Sequence, residues 1–172
     1  TATGATVASK TYDGNTAASV SSVTFTGLVP GEALALGTDY TATGTFADAS
    51  AGANKRATIV VELKSSAKAN NYTLPKDSSV NATGTITAIP IADKNVTLSP
   101  ASAVYDGTEQ KPTVTIAGLT EGTDYTVSYI GDFTKAGEHT VTVTGKGNYT
   151  GTVTKEYAIS KADVPAGNLA YT

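Results

Sequence analysis

A chain of 172 residues with a net charge of −3 and a pI near 5.0 offers no basic face for phosphates, so nucleic acid is not an expected partner. It holds no cysteine, which excludes disulfides, thiolate zinc sites and a cysteine nucleophile, and no methionine even at position 1, which reads as a fragment or processed segment. No apolar run approaches the roughly 20 residues that span a bilayer, so no membrane insertion is expected of this segment.

Taken in chain order, the elements predicted are strands almost throughout. A turn at Asp13-Gly14 is followed by Val23 and Phe25 alternating with Thr24 and Thr26, and by a second turn at Pro30-Gly31. Ile59, Val61 and Leu63 then share a face opposite Thr58, Val60 and Glu62. Pro90, in Ile89-Pro90-Ile91-Ala92-Asp93, removes a ladder donor and marks a boundary, after which Val96 and Leu98 start a new alternating run. Turns at Asp106-Gly107, Ala117-Gly118, Ala136-Gly137 and Lys146-Gly147-Asn148 separate Val114 and Ile116, the run Tyr125, Val127 and Tyr129, the run Thr140-Val141-Thr142-Val143-Thr144, and Thr152-Val153-Thr154 leading to Tyr157 and Ile159. Threonine and valine are β-branched and disfavour helix. Only residues 16–22 and 65–70 have helix-like composition, and both are short and lack an apolar stripe at helical spacing. Strands with one apolar face each must pair those faces, and two packed antiparallel sheets do so most economically.

The chain also repeats itself. Tyr12-Asp13-Gly14 returns as Tyr105-Asp106-Gly107, Gly37-Thr38-Asp39-Tyr40 as Gly122-Thr123-Asp124-Tyr125, Ala51-Gly52 as Ala136-Gly137, and Asn71-Tyr72-Thr73 as Asn148-Tyr149-Thr150. The offset falls from 93 to 85 to 77, so the first copy carries two insertions of eight residues each. Loops absorb insertions that packed strands cannot, so this is the mark of duplicated domains with variable loops. The domains expected are 1–89 and 90–161, with 162–172, where Asn168-Leu169-Ala170-Tyr171 approaches the motif again, opening a further repeat or linker. The fold class predicted is all-β, two tandem Ig-like antiparallel β-sandwich domains; mostly-β grasp-like modules are the alternative if residues 16–22 form a helix.

These residues resemble a known family. Lys10-Thr11-Tyr12-Asp13-Gly14-Asn15-Thr16, followed by Thr45-Phe46-Ala47-Asp48 and Ala51-Gly52, is similar to the YDG repeats of bacterial surface proteins. The second half, with VYDGTEQKPTVTIAGL, GTDYTVSY and AGEHTVTVTGKGNYTGTVTKEYAI, resembles the related MBG-type repeats of large cell-wall proteins. The resemblance covers about residues 7–161. It implies an Ig-like or related all-β module of a secreted, multi-domain, adhesin-like protein at the bacterial cell surface, with no catalytic residues. The stretch 53–72 is longer than the tighter pattern of the second half.

Each residue that could carry chemistry has a structural reading beside the functional one. His139, the single histidine, lies two and four residues before Val141 and Val143 and therefore on their face, where it packs at the core edge with one nitrogen bonded. Tyr12 and Tyr105 precede turns in which Asp13 and Asp106 bond their own backbone and glycine takes a positive φ; the competing reading makes the aspartates calcium ligands together with Asp39, Asp48, Asp93, Asp124 or Asp132, although no D-x-D-x-D cluster is present. Tyr72 and Tyr149 are corner-packing residues rather than a sugar platform. Lys10, Lys64, Lys135 and Lys155 are conceivable isopeptide donors, and solvated strand and loop lysines is the simpler account. No catalytic, cofactor-binding or metal residue is predicted, and no cofactor. The expected role is a non-catalytic stalk or spacer whose partners are neighbouring repeats of the same chain, as a monomer. The alternative is an adhesin that binds a glycan or host surface protein through the first module's longer loops, residues 34–37 and 64–71.

Overall fold

Valine and threonine at a period of two put one apolar and one hydroxyl-bearing face on most strands, and the chain is all-β. The computed structural model describes residues 1–164. The chain divides into two compact units, Thr1–Ile89 and the part from Pro90 onward. The approach to a third motif at residues 168–171 lies outside the described residues.

In the first unit β1 (Ala2–Val7), β2 (Lys10–Thr11), β3 (Ala17–Ala18), β4 (Val20–Phe25), β5 (Tyr40–Phe46), β6 (Gly52–Leu63) and β7 (Ser79–Thr87) follow one another. β1 and β4 form a two-stranded antiparallel sheet, and the order β2-β7-β6-β5-β3 makes a five-stranded one. Val7 and Val23 from the small sheet share one buried core with Tyr40, Phe46, Ile59, Val61 and Ile86 from the large sheet. Tyr40 crosses that core: its hydroxyl accepts from the N–H of Val23 at 3.1 Å, and its ring meets Phe25 edge-on at 5.0 Å.

β8 (Ile89–Pro90) leads into a single 3₁₀ turn, Ile91–Asp93, whose Ile91 is fully buried in the second core. Beyond it lie β9 (Val96–Ser99), β10 (Ala103–Val104), β11 (Thr113–Ile116), β12 (Tyr125–Ile130), β13 (Gly137–Gly145), β14 (Tyr149–Thr150) and β15 (Thr152–Ser160). The small sheet is β9–β11 and the large one runs β10-β15-β13-β12. Val96, Val114 and Ile116 pack with Tyr125, Phe133, Val141, Val143, Tyr157 and Ile159. Tyr125 repeats the crossing, its hydroxyl donating to Val114 O at 3.3 Å.

Two expectations change. The grasp alternative needed a helix over residues 16–22, and that stretch is β3 and β4; Asn15 Oδ1 accepts the Ala17 N–H at 3.0 Å and the β-branched Val20 and Val23 continue as strand. Residues 65–70 yield only the 3₁₀ turn Ala69–Asn71. The sheets are also not purely antiparallel. β2 runs parallel to β7, Lys10↔Ile86, and β10 parallel to β15, Ala103↔Ile159. In each unit the first strand's chain leaves the small sheet without reversing and docks on the edge of the large one beside the last strand, so the pairing is parallel. The next residue extends it, Tyr12 N–H to Thr87 O at 2.8 Å and Tyr105 N–H to Ser160 O at 2.9 Å.

Candidate functional site

The Gly-Thr-Asp-Tyr motif builds the same object twice. Gly37 and Gly122 both sit at φ 85°, a left-handed conformation that a side chain resists. Gly37 N–H bonds Tyr40 O and Gly122 N–H bonds Tyr125 O, at 2.8 and 2.7 Å. The Asp39 carboxylate accepts the Ala35 N–H at 2.8 Å and that of Asp124 accepts the Thr120 N–H at 2.9 Å. A lysine closes each loop: Lys64 Nζ donates to Gly37 O, and Lys146 Nζ to Gly122 O at 2.6 Å. The register explains the lysines, since Tyr40 faces Leu63 and Tyr125 faces Gly145 and the next residue in each case meets the loop. Motif matching misses them because an insertion displaces Lys64 from Lys146 in the spacing; the strand register is the signal that finds them.

Among the described residues, only in the first unit does more structure gather on this loop. Asp39 is buried, and Ser66 donates to it at 2.6 Å while also accepting the Ala69 N–H at 2.9 Å. The Ser66 hydroxyl, then the Ala35 N–H, hold the Asp39 carboxyl below its ordinary 3.8 against the opposing effect of burial. Lys68 Nζ reaches Ala33 O at 2.9 Å. Tyr72 accepts the Val29 N–H at 3.1 Å and donates to Glu32, whose carboxylate raises the phenol's pKa. The longer loops, 34–37 and 64–71, are thereby stapled into one surface that exposes Val29 and Leu36 while Leu34 turns toward the core. Among the described residues, this loop is braced by side chains beyond those the turn itself needs.

The other residues singled out in the sequence are scattered. His139 is 7% exposed on the face of Val141 and Val143, opposite Tyr157, with its ring 4.6 Å from Phe133. Its Nε2 lies 2.9 Å from Lys135 O, to which it donates, and its Nδ1 has no hydrogen-bond partner. Asp13, Asp48, Asp106 and Asp132 each accept the N–H two residues on, from Asn15, Ser50, Thr108 and Thr134. Lys10 first, then that turn bond, lowers the Asp13 carboxyl; Lys55 and Ser50 take Asp48 to about 2; Thr108 lowers Asp106; and Thr134 with Lys135 takes Asp132 well below the carboxylate range. Gly14 and Gly107 take φ 78° and 83° in these turns. No group of three or more histidine, aspartate or glutamate side chains able to hold a metal ion occurs among the described residues.

Tyr12 packs partly into the first core, whereas Tyr105 is 42% exposed. Tyr149 packs partly on the second core, with Lys94 Nζ 5.6 Å from its ring centre. Of the four candidate lysines, Lys10 bonds Asn15 Oδ1 at 2.8 Å and Asp13 at 2.7 Å within one exposed turn, Lys64 holds Gly37 O, Lys135 pairs with Asp132 at 2.9 Å, and Lys155 is exposed on its strand. None meets an amide in an apolar interior, the setting an isopeptide requires.

Among the described residues no helix is long and apolar enough to cross a membrane. A family model for the YDG domain matches residues 1–81, from β1 into β7 and across the braced loops. Neither a curated protein nor a solved structure matches the chain.

Proposed function

We propose that the chain is a non-catalytic pair of display modules, a YDG domain followed by an MBG-type repeat, in the stalk of a secreted bacterial surface protein. The observation that carries this reading is where the reactive groups are spent. His139 is packed against the Phe133 ring, four aspartates tie their own turns, and Lys64 and Lys146 clamp loop carbonyls. Groups spent in this way on the chain's own backbone rigidify a scaffold, which is what a display module needs. The recurrence of the lysine-closed loop and of the cross-core tyrosine supports reading the second unit as a relative of the first. In this role the work is mechanical: small β modules in series carry a terminal head away from the cell.

A spacer role requires an extended pair, on the order of 80 Å at about 35–45 Å per domain. Small-angle scattering of the 172-residue chain tests it: a maximum dimension near that value is expected, and one near a single domain's length overturns the reading.

The second reading, an adhesin, is favoured by one specific observation, the exposed Val29 and Leu36 on loops held by Ser66, Lys68 and Tyr72. Glycan-array or host-matrix binding that a Val29→Ser, Leu36→Ser double variant abolishes while the fold stays intact would establish it. Absence of binding to either panel returns the choice to the spacer.

A further inference from the structure

We propose that the free edge of β12 is a strand-pairing site, and that its occupant is β12 of a second copy of this chain, antiparallel about a two-fold axis at Ser128. An open edge is a row of unpaired backbone donors and acceptors, and its natural partner is another extended strand. Among the described residues β12 lies last in its sheet and pairs with β13 alone, without a bulge from Tyr125↔Gly145 to Ile130↔Thr140.

The other unit displays what the fold accepts at this edge. β5, which follows its Gly-Thr-Asp-Tyr loop as β12 follows its own, is covered by β3, with Ala17↔Thr45 and Ala18↔Gly44. That cover needs a glycine. A Cβ on Gly44 would stand 2.6 Å from Ala18 O and 3.0 Å from Ala18 Cβ, because the chain rises there out of one sheet toward β4 in the other. Four residues after the motif tyrosine the second unit has Tyr129 in place of Gly44, and immediately before β11 it has Pro112, which has no N–H to give to a ladder. The segment before β11 is drawn under the ring instead, where Tyr129 donates to Pro112 O at 2.8 Å. The edge stays bare.

Which groups are bare fixes the register. Asp124 O accepts from Lys146 N–H beside β13, and Tyr125 O turns the other way to Gly122 N–H, so even-numbered residues of β12 bond β13 and odd-numbered ones point outward. Glu121 already bridges the Tyr125 end. Val127 and Tyr129 remain, and among the described residues no bond to their outward groups occurs. An in-plane strand escapes the Gly44 constraint, since it does not climb across the core. Two copies in antiparallel array, with Val127 opposite Tyr129 in both directions, satisfy all four groups and keep core faces and solvent faces aligned.

Ser128 then faces Ser128 of the second copy as a close pair, about 4.5 Å between Cα atoms. Ile130, 62% exposed in one copy, lies beside Thr126 of the other. β12 carries no charged residue. At its ends Asp124 of one copy approaches Asp132 of the other, but each carboxylate is tied back, to the Thr120 N–H and to Lys135. The association departs from the monomer expected of the sequence, and it adds lateral contact to a stalk without depending on the stalk reading.

Sedimentation equilibrium of the chain, of Ser128→Lys and of Ser128→Asp is the test. The serine is exposed and on the outer face, so neither change burdens the fold. The expected result is a concentration-dependent dimer for the unaltered chain, monomer for each variant alone, and a restored dimer when the two variants are mixed, because like charges oppose each other across the axis in the first case and opposite charges attract in the second. A chain that stays monomeric at the highest soluble concentration overturns the proposal, and so does a dimer that Ser128→Lys leaves intact.

Discussion

The two units carry one loop and put it to different use. In the second, Asp124 binds its turn, Lys146 closes it, and the chain goes straight on into strand. In the first, the same turn is a foundation: Asp39 is buried beneath Ser66, and residues 64–71 fold back over it through Lys68 and Tyr72. A motif that satisfies its own backbone groups can be left alone or built upon, and the extra residues fall where the motif is already rigid. The cores differ as well. The first is mostly aliphatic with Phe25 against Tyr40, whereas Tyr129, Phe133, His139 and Tyr157 form a run of rings in the second.

The largest test of that contrast removes the hub of the ring cluster. Phe133 is 2% exposed and touches all three other rings, so Phe133→Ala should cost the second unit about 3–5 kcal/mol. Denaturant titration followed residue by residue by NMR should show the first unit's transition unmoved. A shared loss would mean that the two units unfold as one.

Next in size is the backbone contact that separates β5 from β12. Gly44→Ala puts a methyl 2.6 Å from Ala18 O, and since backbone cannot swing aside like a side chain, a loss of about 1–3 kcal/mol is expected together with faster amide exchange in β3. An alanine variant as stable as the parent would show that β3 yields freely, and crowding at this position could then not account for the bare edge of β12.

Much of this is legible in the sequence, for physical reasons that particular residues make plain. Period-two runs such as Thr140-Val141-Thr142-Val143-Thr144 admit one burial pattern, and β13 buries Val141 and Val143 as that demands. His139 sits on their face by parity alone, and the Asp-Gly turns follow from local chemistry. The parallel docking of β2 and β10 is hidden because two-residue edge strands carry no period of their own. Residues 16–22 are too short to carry either a helical stripe or a sustained alternation, and the pairing of Val20 and Val23 with β1 joins the local Asn15 bond in making them strand. Ser66 under Asp39 is illegible for another reason: a hydroxyl in an insertion has no counterpart to be compared with, and its partner is 27 residues away.

A smaller effect separates the two cross-core tyrosines. Tyr40→Phe strips the buried Val23 N–H of its acceptor, while Tyr125→Phe deprives only the Val114 carbonyl, which held a longer bond. Unpaired buried N–H groups are worse tolerated than carbonyls with a free lone pair. The expected losses are about 1–3 kcal/mol for the first and about 0.5–1 kcal/mol for the second, read from paired chemical denaturations. Equal losses, or the reverse order, would place the two hydroxyls in the same role.

The subtlest difference is electrostatic and shows only in acid. Asp39 ionises below 3.8 in the folded first unit because Ser66 and the Ala35 N–H hold its charged form, so the unfolded chain takes up that proton first as pH falls. The stabilisation is therefore complete above about pH 4 and is lost as pH drops through the folded value, and the loops of residues 34–37 and 64–71 are where it is lost. Asp39→Asn should lower the first unit's stability at neutral pH, since an amide cannot accept both bonds as a carboxylate does, and should flatten the acid limb of its stability curve. The second unit's curve should not change. Following Ser66 and Ala35 amide signals from pH 5 to 2 resolves the matter: in the parent the loop should loosen before the β6–β7 ladder, and an acid limb identical in parent and variant would mean that the carboxylate shapes the turn without bracing the loops above it.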